Sequence, residues 1–288
     1  MPGRTTLVYQ CDCSFEGVLC CVYESYVRKE LPIGILPDGE PTFYPVRRVE
    51  TVEAHAARVW ASLERLGGEV AAWALDGWAS CAPGREEAVF AFVRLAYRHG
   101  AGVTSRLADP AVDALFRMVR AQRNEAHFFV EFARFSDYGG ALVCVVSPKG
   151  LVLPHLGRHF ADRFPEETFL IHDETHGQAL FYRPYEWVVR PVEDLQLPEA
   201  GAEERLFRDL WKQYYDTIGI EGRLNPLCRR THCPMRYWAH MTEMEGCDPR
   251  LAARGELRSA QPPLARGGSR PGNRLPAPPL RRLPGGPG

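Results

Sequence analysis

The sequence predicts an α+β fold: a mainly helical first half, a short antiparallel sheet with one inserted helix, C-terminal helices and a disordered tail. Three observations carry this reading. Up to about residue 129, apolar residues recur at helical spacing between capping and stop signals. From Val130 the period changes to short runs rich in β-branched and aromatic side chains. The last 42 residues hold nine prolines and seven glycines with no aromatic side chain, too little apolar surface to offset the entropy of ordering. Residues 1–246 are therefore expected to form one α+β domain and 247–288 a disordered Pro/Gly/Arg-rich tail.

The elements follow in order. "TTLVYQCD" suits a short strand, and Ser14 is placed to cap a helix running to about Lys29, with Pro32 beyond it as a stop. A second helix is expected from near Thr51, with Ala56, Val59, Trp60 and Leu63 on its apolar side and Gly67-Gly68 as its end. A helical region follows, including "REEAVFAFVRLAYRHG" up to Gly100. "DPAVDALFRMVRAQRNEAHFF" opens with Asp109 as cap and Pro110 at the first helical position. "VEFARF", "ALVCVVS", "TFLIHD", "QALFYR" and "YEWVVRP" suit antiparallel strands. Between the second and third of these, "GLVLPHLGRHFADRF" carries Leu153, Leu156, Phe160 and Phe164 at helical spacing. "EERLFRDLWKQYYDTIGI" is an amphipathic helix, and Pro234 is placed to open a last one.

Charge narrows the partners. The net charge of −1 conceals an asymmetry: residues 247–288 carry eight arginines against Asp248 and Glu256, about +6, whereas 1–246 hold 27 basic and 34 acidic residues, −7. A net acidic domain argues against non-specific coating of DNA and leaves a local basic patch as the means of contact. No apolar run approaches the roughly 18 residues of a membrane span, and "MPGRTTLVYQCDCSFEG" lacks the layout of a secretory signal. A cytoplasmic location without membrane contact is expected. Nine cysteines, two of them adjacent (Cys20, Cys21), fit poorly with a disulfide framework.

The stretch "RRTHCPMRYWAHMTE" raises two chemistries. Cys228, His232, Cys233 and Cys247 are zinc-ligand types, but their spacing departs from the paired knuckles of structural zinc sites; no metal and no cofactor is expected. Arginine interleaved with tyrosine and tryptophan would hold phosphate and stack unpaired bases. Glu125, His127, His159 and Asp173 are the candidate acid–base groups. His172 and Asp173, being adjacent in a strand, would face opposite ways. The chain contains no GxxxxGK[ST], no GxGxxG opening a helix and no HExxH.

Taken together, "DCSFEG" (Asp12, Ser14, Phe15, Glu16, Gly17), "EAHFF", "LPHLGRHFADRF", "IHD" and "LWKQYYDTIGIEGRLNPLCRRTHCPMRYW" resemble a bacterial family assigned to DNA repair or DNA metabolism and built on a domain of unknown function. The resemblance covers about residues 7–245. It implies DNA as a partner, together with a radical SAM protein typically encoded beside family members. Some relatives continue into a uracil-DNA-glycosylase-like domain. Here the Pro- and Arg-rich tail stands in that place, so glycosylase activity is not carried over. The residue types, with Lys212, Trp211, Tyr214 and Trp238 in the same pattern, and the matched positions give Arg163, Arg223, Arg229, Arg230, His232, Arg236 and Tyr237 as candidate DNA contacts, with Asp12, Ser14 and Glu16 as the N-terminal motif. Two departures stand out: Cys13 occupies a tight-turn position where glycine is expected, and "ETH" (174–176) replaces residues that relatives often carry as basic. Three functions stay open: a protein that binds DNA or presents it to a radical SAM partner, a nucleic-acid-processing enzyme with a His/Glu acid–base site, and a protein-interaction adaptor without direct DNA contact.

Overall fold

A computed structural model describes residues 3–4, 6–220, 223 and 225–246. The expected disordered tail, 247–288, lies outside the described residues. What is described is α+β, with most of the helix in the first half and a five-stranded sheet in the second.

The N-terminal region holds more strand than its sequence pattern announces. β1 (Gly3–Arg4) pairs in parallel with β3 (Glu30–Leu31). β2 (Val8–Cys11) is buried along its length between β4 (Gly34–Pro37) and β5 (Val46–Arg48), both parallel to it. β4 and β5 were not expected: each is short and has no alternation to mark it, and pairing with β2 supplies what propensity does not. α1 (Phe15–Val27) is the crossover between β2 and the parallel β4.

The turn into α1 explains the "DCSFEG" pattern. The Ser14 hydroxyl oxygen accepts the Gly17 N–H at 2.9 Å, an N-cap. Asp12 braces this cap: one oxygen accepts the Ser14 N–H (3.0 Å) and hydroxyl (2.7 Å), the other the Thr51 hydroxyl (2.9 Å). Burial pushes the Asp12 carboxyl up, but these hydrogen bonds outweigh it and hold it below its ordinary value. A Cβ on Gly17 would lie 2.1 Å from Asp12 Oδ1, so the brace requires glycine there. Cys13 has φ 55°, in the left-handed region where the glycine implied by the resemblance would be unstrained. Glu16, in the first turn of α1, is exposed and suitably placed for the positive end of the helix.

Four more helices complete the bundle, the first and third of them packing on α1 and the second and fourth on those. α2 (Glu53–Leu66) buries Ala56, Val59 and Leu63, as its spacing predicts. The helical region after it resolves into α3 (Gly68–Ala79) and α4 (Arg85–His99), and Gly100 ends α4 with φ 64°. α5 (Pro110–Phe132) starts as expected, with Asp109 Oδ1 accepting the Ala111 N–H at 3.0 Å. It continues through Phe132, so the strand expected over "VEFARF" is the end of a helix. Phe129 still lies on the apolar stripe that begins at Val112, and this continuity overrides the local strand propensity.

β6 (Ser136–Asp137), β7 (Ala141–Val146), β8 (Thr168–Asp173), β9 (Gln178–Arg183) and β10 (Glu186–Pro191) form a sheet in the order β10-β9-β8-β7-β6. The expected all-antiparallel pairing needs correction, because β7 and β8 run parallel. The physical reason is the inserted helix α6 (Leu153–Arg163): it returns the chain to the starting end of the sheet, as a parallel pair requires. α6 lies close on β9, since a Cβ at Gly157 would meet Leu180 Cδ1 at 2.5 Å.

α7 (Ala202–Ile218) is followed by α8 (Pro226–His232), which was not expected, and by 3₁₀ turns at Met235–His240 and Thr242–Met244. Pro234 thus opens a 3₁₀ turn, where an α-helix was expected. Buried Glu243 fastens this region. Its carboxylate accepts two hydrogen bonds from Arg134 (2.6 and 3.2 Å) and one from the Trp211 indole (2.9 Å). Removing one partner of such a buried pair strands the other charge. Glu243→Ala is therefore expected to lower stability by about 3 kcal/mol, read as a shift of the urea midpoint at unchanged slope; a shift below about 0.5 kcal/mol, the range of ordinary surface substitutions, would contradict this.

Candidate functional site

A cavity of about 550 Å³ opens where α2, α3, α5 and α6 meet, and its lining includes Trp60, Asp76, Trp78, Arg123, His155 and Arg158. The "DCSFEG" turn builds its aromatic wall. Phe15 packs edge-on to Trp60 (centroids 5.6 Å apart) and tilted against Trp78 (5.7 Å). The Trp78 indole N–H donates to the Cys13 carbonyl at 3.1 Å. The Arg85 guanidinium stands 4.7 Å from the Trp78 ring centre.

The polar wall centres on Asp76, the single charged residue within the apolar stretch "AAWALDGWA" of α3. Its Oδ1 lies 2.9 Å from His155 Nε2 and its Oδ2 accepts from Arg123 Nε at 2.7 Å. The Asp76 side chain is 8% exposed. Burial works to raise its carboxyl, but His155 and Arg123 outweigh it and hold the group below the ordinary aspartate value. Glu64 and Arg158 also line the cavity, so hydrogen-bond acceptors and donors share one opening with two indoles.

The loop before α6 carries His155 into place, and Glu125 holds that loop. The Glu125 carboxylate, from α5, accepts the N–H groups of Lys149 (3.1 Å) and Gly150 (2.9 Å) and a hydrogen bond from Arg236 (2.5 Å). One turn earlier, Gln122 donates to the Leu151 carbonyl at 2.9 Å, and the Leu151 N–H donates to Ala79 O at 2.7 Å. The backbone approach is so close that a Cβ on Gly150 would stand 2.0 Å from Gln122 Oε1 and 2.8 Å from Ala79 O.

The structure does not gather the four acid–base candidates. Glu125 closes the loop just described. His127 is exposed on α5, 3.1 Å from Glu131, and His159 is exposed on α6. Asp173 is fully buried at the end of β8 against His176. The proposed DNA contacts also divide. Arg163 lies beside the Phe164 ring (5.5 Å) and Arg223 is exposed. Arg229 stacks 5.0 Å from the centre of the Trp238 ring, Arg230 donates to Pro226 O (3.3 Å), and His232 Nδ1 lies 2.9 Å from Cys228 O. Tyr237 is buried among Phe128, Phe129 and Phe132 rather than facing a groove, and Arg236 spends its charge on Glu125 while bonding the Tyr237 hydroxyl. Burial, with Glu125 nearby, pushes that hydroxyl up to about 12 despite Arg236. These two residues therefore lock the C-terminal turn onto α5.

Residues 83–243 match the family model described as Domain of unknown function (DUF4130). The chain belongs to this family. No curated protein and no solved structure matches it. The DUF4130 match includes Arg123, Glu125, His155 and Arg158, while Trp60, Asp76 and Trp78 come from the chain before it. Asp76 is where sequence reading fell short, although an isolated carboxylate in an apolar helix is itself a signal, because burying it demands partners.

Two outcomes test this geometry. Gly150→Ala is expected to cost about 1–3 kcal/mol through overpacking against Gln122 and Ala79, measured by thermal or urea unfolding; an unchanged midpoint would mean the loop is not held as described. Asp76, depressed in the folded state, contributes stability in full above the ordinary aspartate range (about 3.9), and loses it as pH falls through its lower folded value. Asp76→Asn should therefore narrow its stability gap from wild type as pH falls, and a gap constant from pH 7 down to acid unfolding would refute the assignment.

Proposed function

We propose that this protein acts in DNA metabolism by binding DNA and taking an unpaired base into the cavity beside Asp76, presenting it to the radical SAM partner that the resemblance implies. The single observation carrying this reading is the cavity's composition. Trp60 and Trp78 line it together with Arg123, His155, Arg158, Asp76 and Glu64. A bare anion would be poorly served by two carboxylates. A planar heteroaromatic with both donors and acceptors on its edge suits this set, and base stacking on aromatic side chains contributes about 1–3 kcal/mol per base. A base paired within a duplex cannot enter, so single-stranded or distorted DNA is the favoured form.

A second observation favours contact with a protein. Leu206, Phe207, Leu210, Tyr214 and Ile218 of α7 are each 49–59% exposed along one stripe, more apolar surface than a solvated helix needs. This is compatible with DNA binding at the cavity and supports the partner half of the proposal.

Fluorescence anisotropy with single-stranded, duplex and uracil-containing DNA over a salt series tests the reading. Arg123→Ala/Arg158→Ala is expected to weaken single-strand binding and, if both guanidinium groups also meet phosphate, to flatten the log–log salt slope by roughly 1.4. Arg229→Ala/Arg230→Ala serves as the comparison at the C-terminal face. Failure to bind at low salt, or binding indifferent to Arg123 and Arg158, would overturn the cavity as the DNA site.

A further inference from the structure

Outside the cavity, a second group of side chains has the arrangement of a nucleophile, a base and an orienting carboxylate. Cys81 follows the end of α3 with φ 52°, a left-handed conformation that costs a non-glycine residue energy and is most often kept at functional positions. Its Sγ lies 3.8 Å from His176 Nε2, and His176 Nδ1 lies 2.6 Å from Asp173 Oδ2. Asp173 is fully buried, and its other oxygen accepts the N–H groups of Thr175 (3.0 Å) and His176 (3.1 Å). The carboxylate therefore fixes both the backbone and the ring of His176. With the ring proton on Nδ1, donated to Asp173, the Nε2 lone pair faces the thiol. Arg85 adds a donor: its Nη1 donates to Cys81 Sγ at 3.1 Å and to Trp78 O at 2.9 Å, while its Nε pairs with Glu86 at 2.9 Å.

We infer that Cys81 is a nucleophile activated by His176, with Asp173 as the positioning residue and Arg85 donating to the sulfur, and that it reacts with activated acyl groups such as esters and thioesters. In the forward step the Cys81 thiol gives its proton to His176 Nε2 and sulfur bonds to the acyl carbon. The bond to the leaving oxygen or sulfur then breaks, and His176 returns the proton to the departing alcohol or thiol. Water attacks the resulting thioester and yields its proton to His176; the C–S bond breaks, releasing the acid and restoring the thiol. No oxidant or reductant enters. Cys228 Sγ lies 3.5 Å from His232 Nδ1, but that nitrogen is also 2.9 Å from the Cys228 carbonyl oxygen; burial pushes Cys13 and Cys144 up to about 12, which keeps them protonated near neutral pH. This inference is independent of the DNA reading, although Trp78, under Arg85, also borders the cavity.

The test uses the full chain carrying Cys228→Ser, which removes the thiol exposed among the described residues, and Cys247→Ser, with p-nitrophenyl acetate as probe. One equivalent of p-nitrophenolate per protein is expected in a burst, with the acetyl group found on the peptide containing Cys81. Cys81→Ala should abolish the burst. His176→Gln should slow it at least about tenfold, in keeping with the usual contribution of a positioned base, at an unchanged thermal midpoint. Should His176→Gln not fold, the rate of Cys81 alkylation by iodoacetamide in the Cys228→Ser/Cys247→Ser chain at pH 7 decides: faster than free glutathione supports the inference. A rate at or below glutathione, acetylation elsewhere, no burst, or a folded His176→Gln protein with the wild-type rate would each overturn it.

Discussion

The carboxylate of Glu125 is the joint on which the candidate cavity depends. Buried on α5, it needs donors, because an ionised carboxylate away from water is costly unless fully hydrogen-bonded. It finds them in two backbone N–H groups of the loop before α6 and in Arg236 from the C-terminal turn. Such charge-assisted bonds are about twice as strong as neutral ones. The consequences run along the chain: the held loop brings Leu151 to Ala79, α6 starts at Leu153, and His155 arrives opposite Asp76. Glu125 thus acts through geometry at a distance from the cavity that it shapes.

The N-terminal motif does the same for the aromatic wall. Asp12 and Ser14 fix a left-handed turn at Cys13, whose carbonyl holds the Trp78 indole, and Phe15, two residues on, supports both tryptophans. Two patterns far apart in the chain therefore shape one cavity, "DCSFEG" by supporting Trp60 and Trp78 and "LPHLGRHFADRF" by supplying Pro154, His155 and Arg158. That convergence gives both segments a physical purpose that does not require either to be an acid or a base.

Much of the fold was legible because it rests on local signals. Ser14, Asp109 and Gly100 mark helix ends where the structure has them, and "TFLIHD" and "QALFYR" coincide with β8 and β9. What escaped depended on partners distant in sequence. β4 and β5 exist by pairing with β2, the parallel register of β7 and β8 follows from the path of α6, and Val130 stays helical because α5 has an apolar stripe to complete. The site shows the same division. The arginine- and aromatic-rich C-terminal stretch looked like a ligand face because residue types alone cannot distinguish a stacked, ion-paired arginine from an available one. Arg236 is committed to Glu125 and Arg229 stacks on Trp238. Asp76 lacked any motif, and Asp173 was noticed without its partner His176, three residues on.

The proposed function requires an unpaired base to enter the cavity lined by Trp60, Trp78 and Asp76. The most direct measurement is the indole N–H region of the NMR spectrum, titrated with a short single-stranded oligonucleotide. The six tryptophans would be assigned by single Trp→Phe replacements. The account predicts saturable shifts confined to the Trp60 and Trp78 signals, with His155 ring resonances moving in step. Shifts confined to Trp211 or Trp238, or none while DNA is demonstrably bound, would contradict it and move the DNA face to the C-terminal helices.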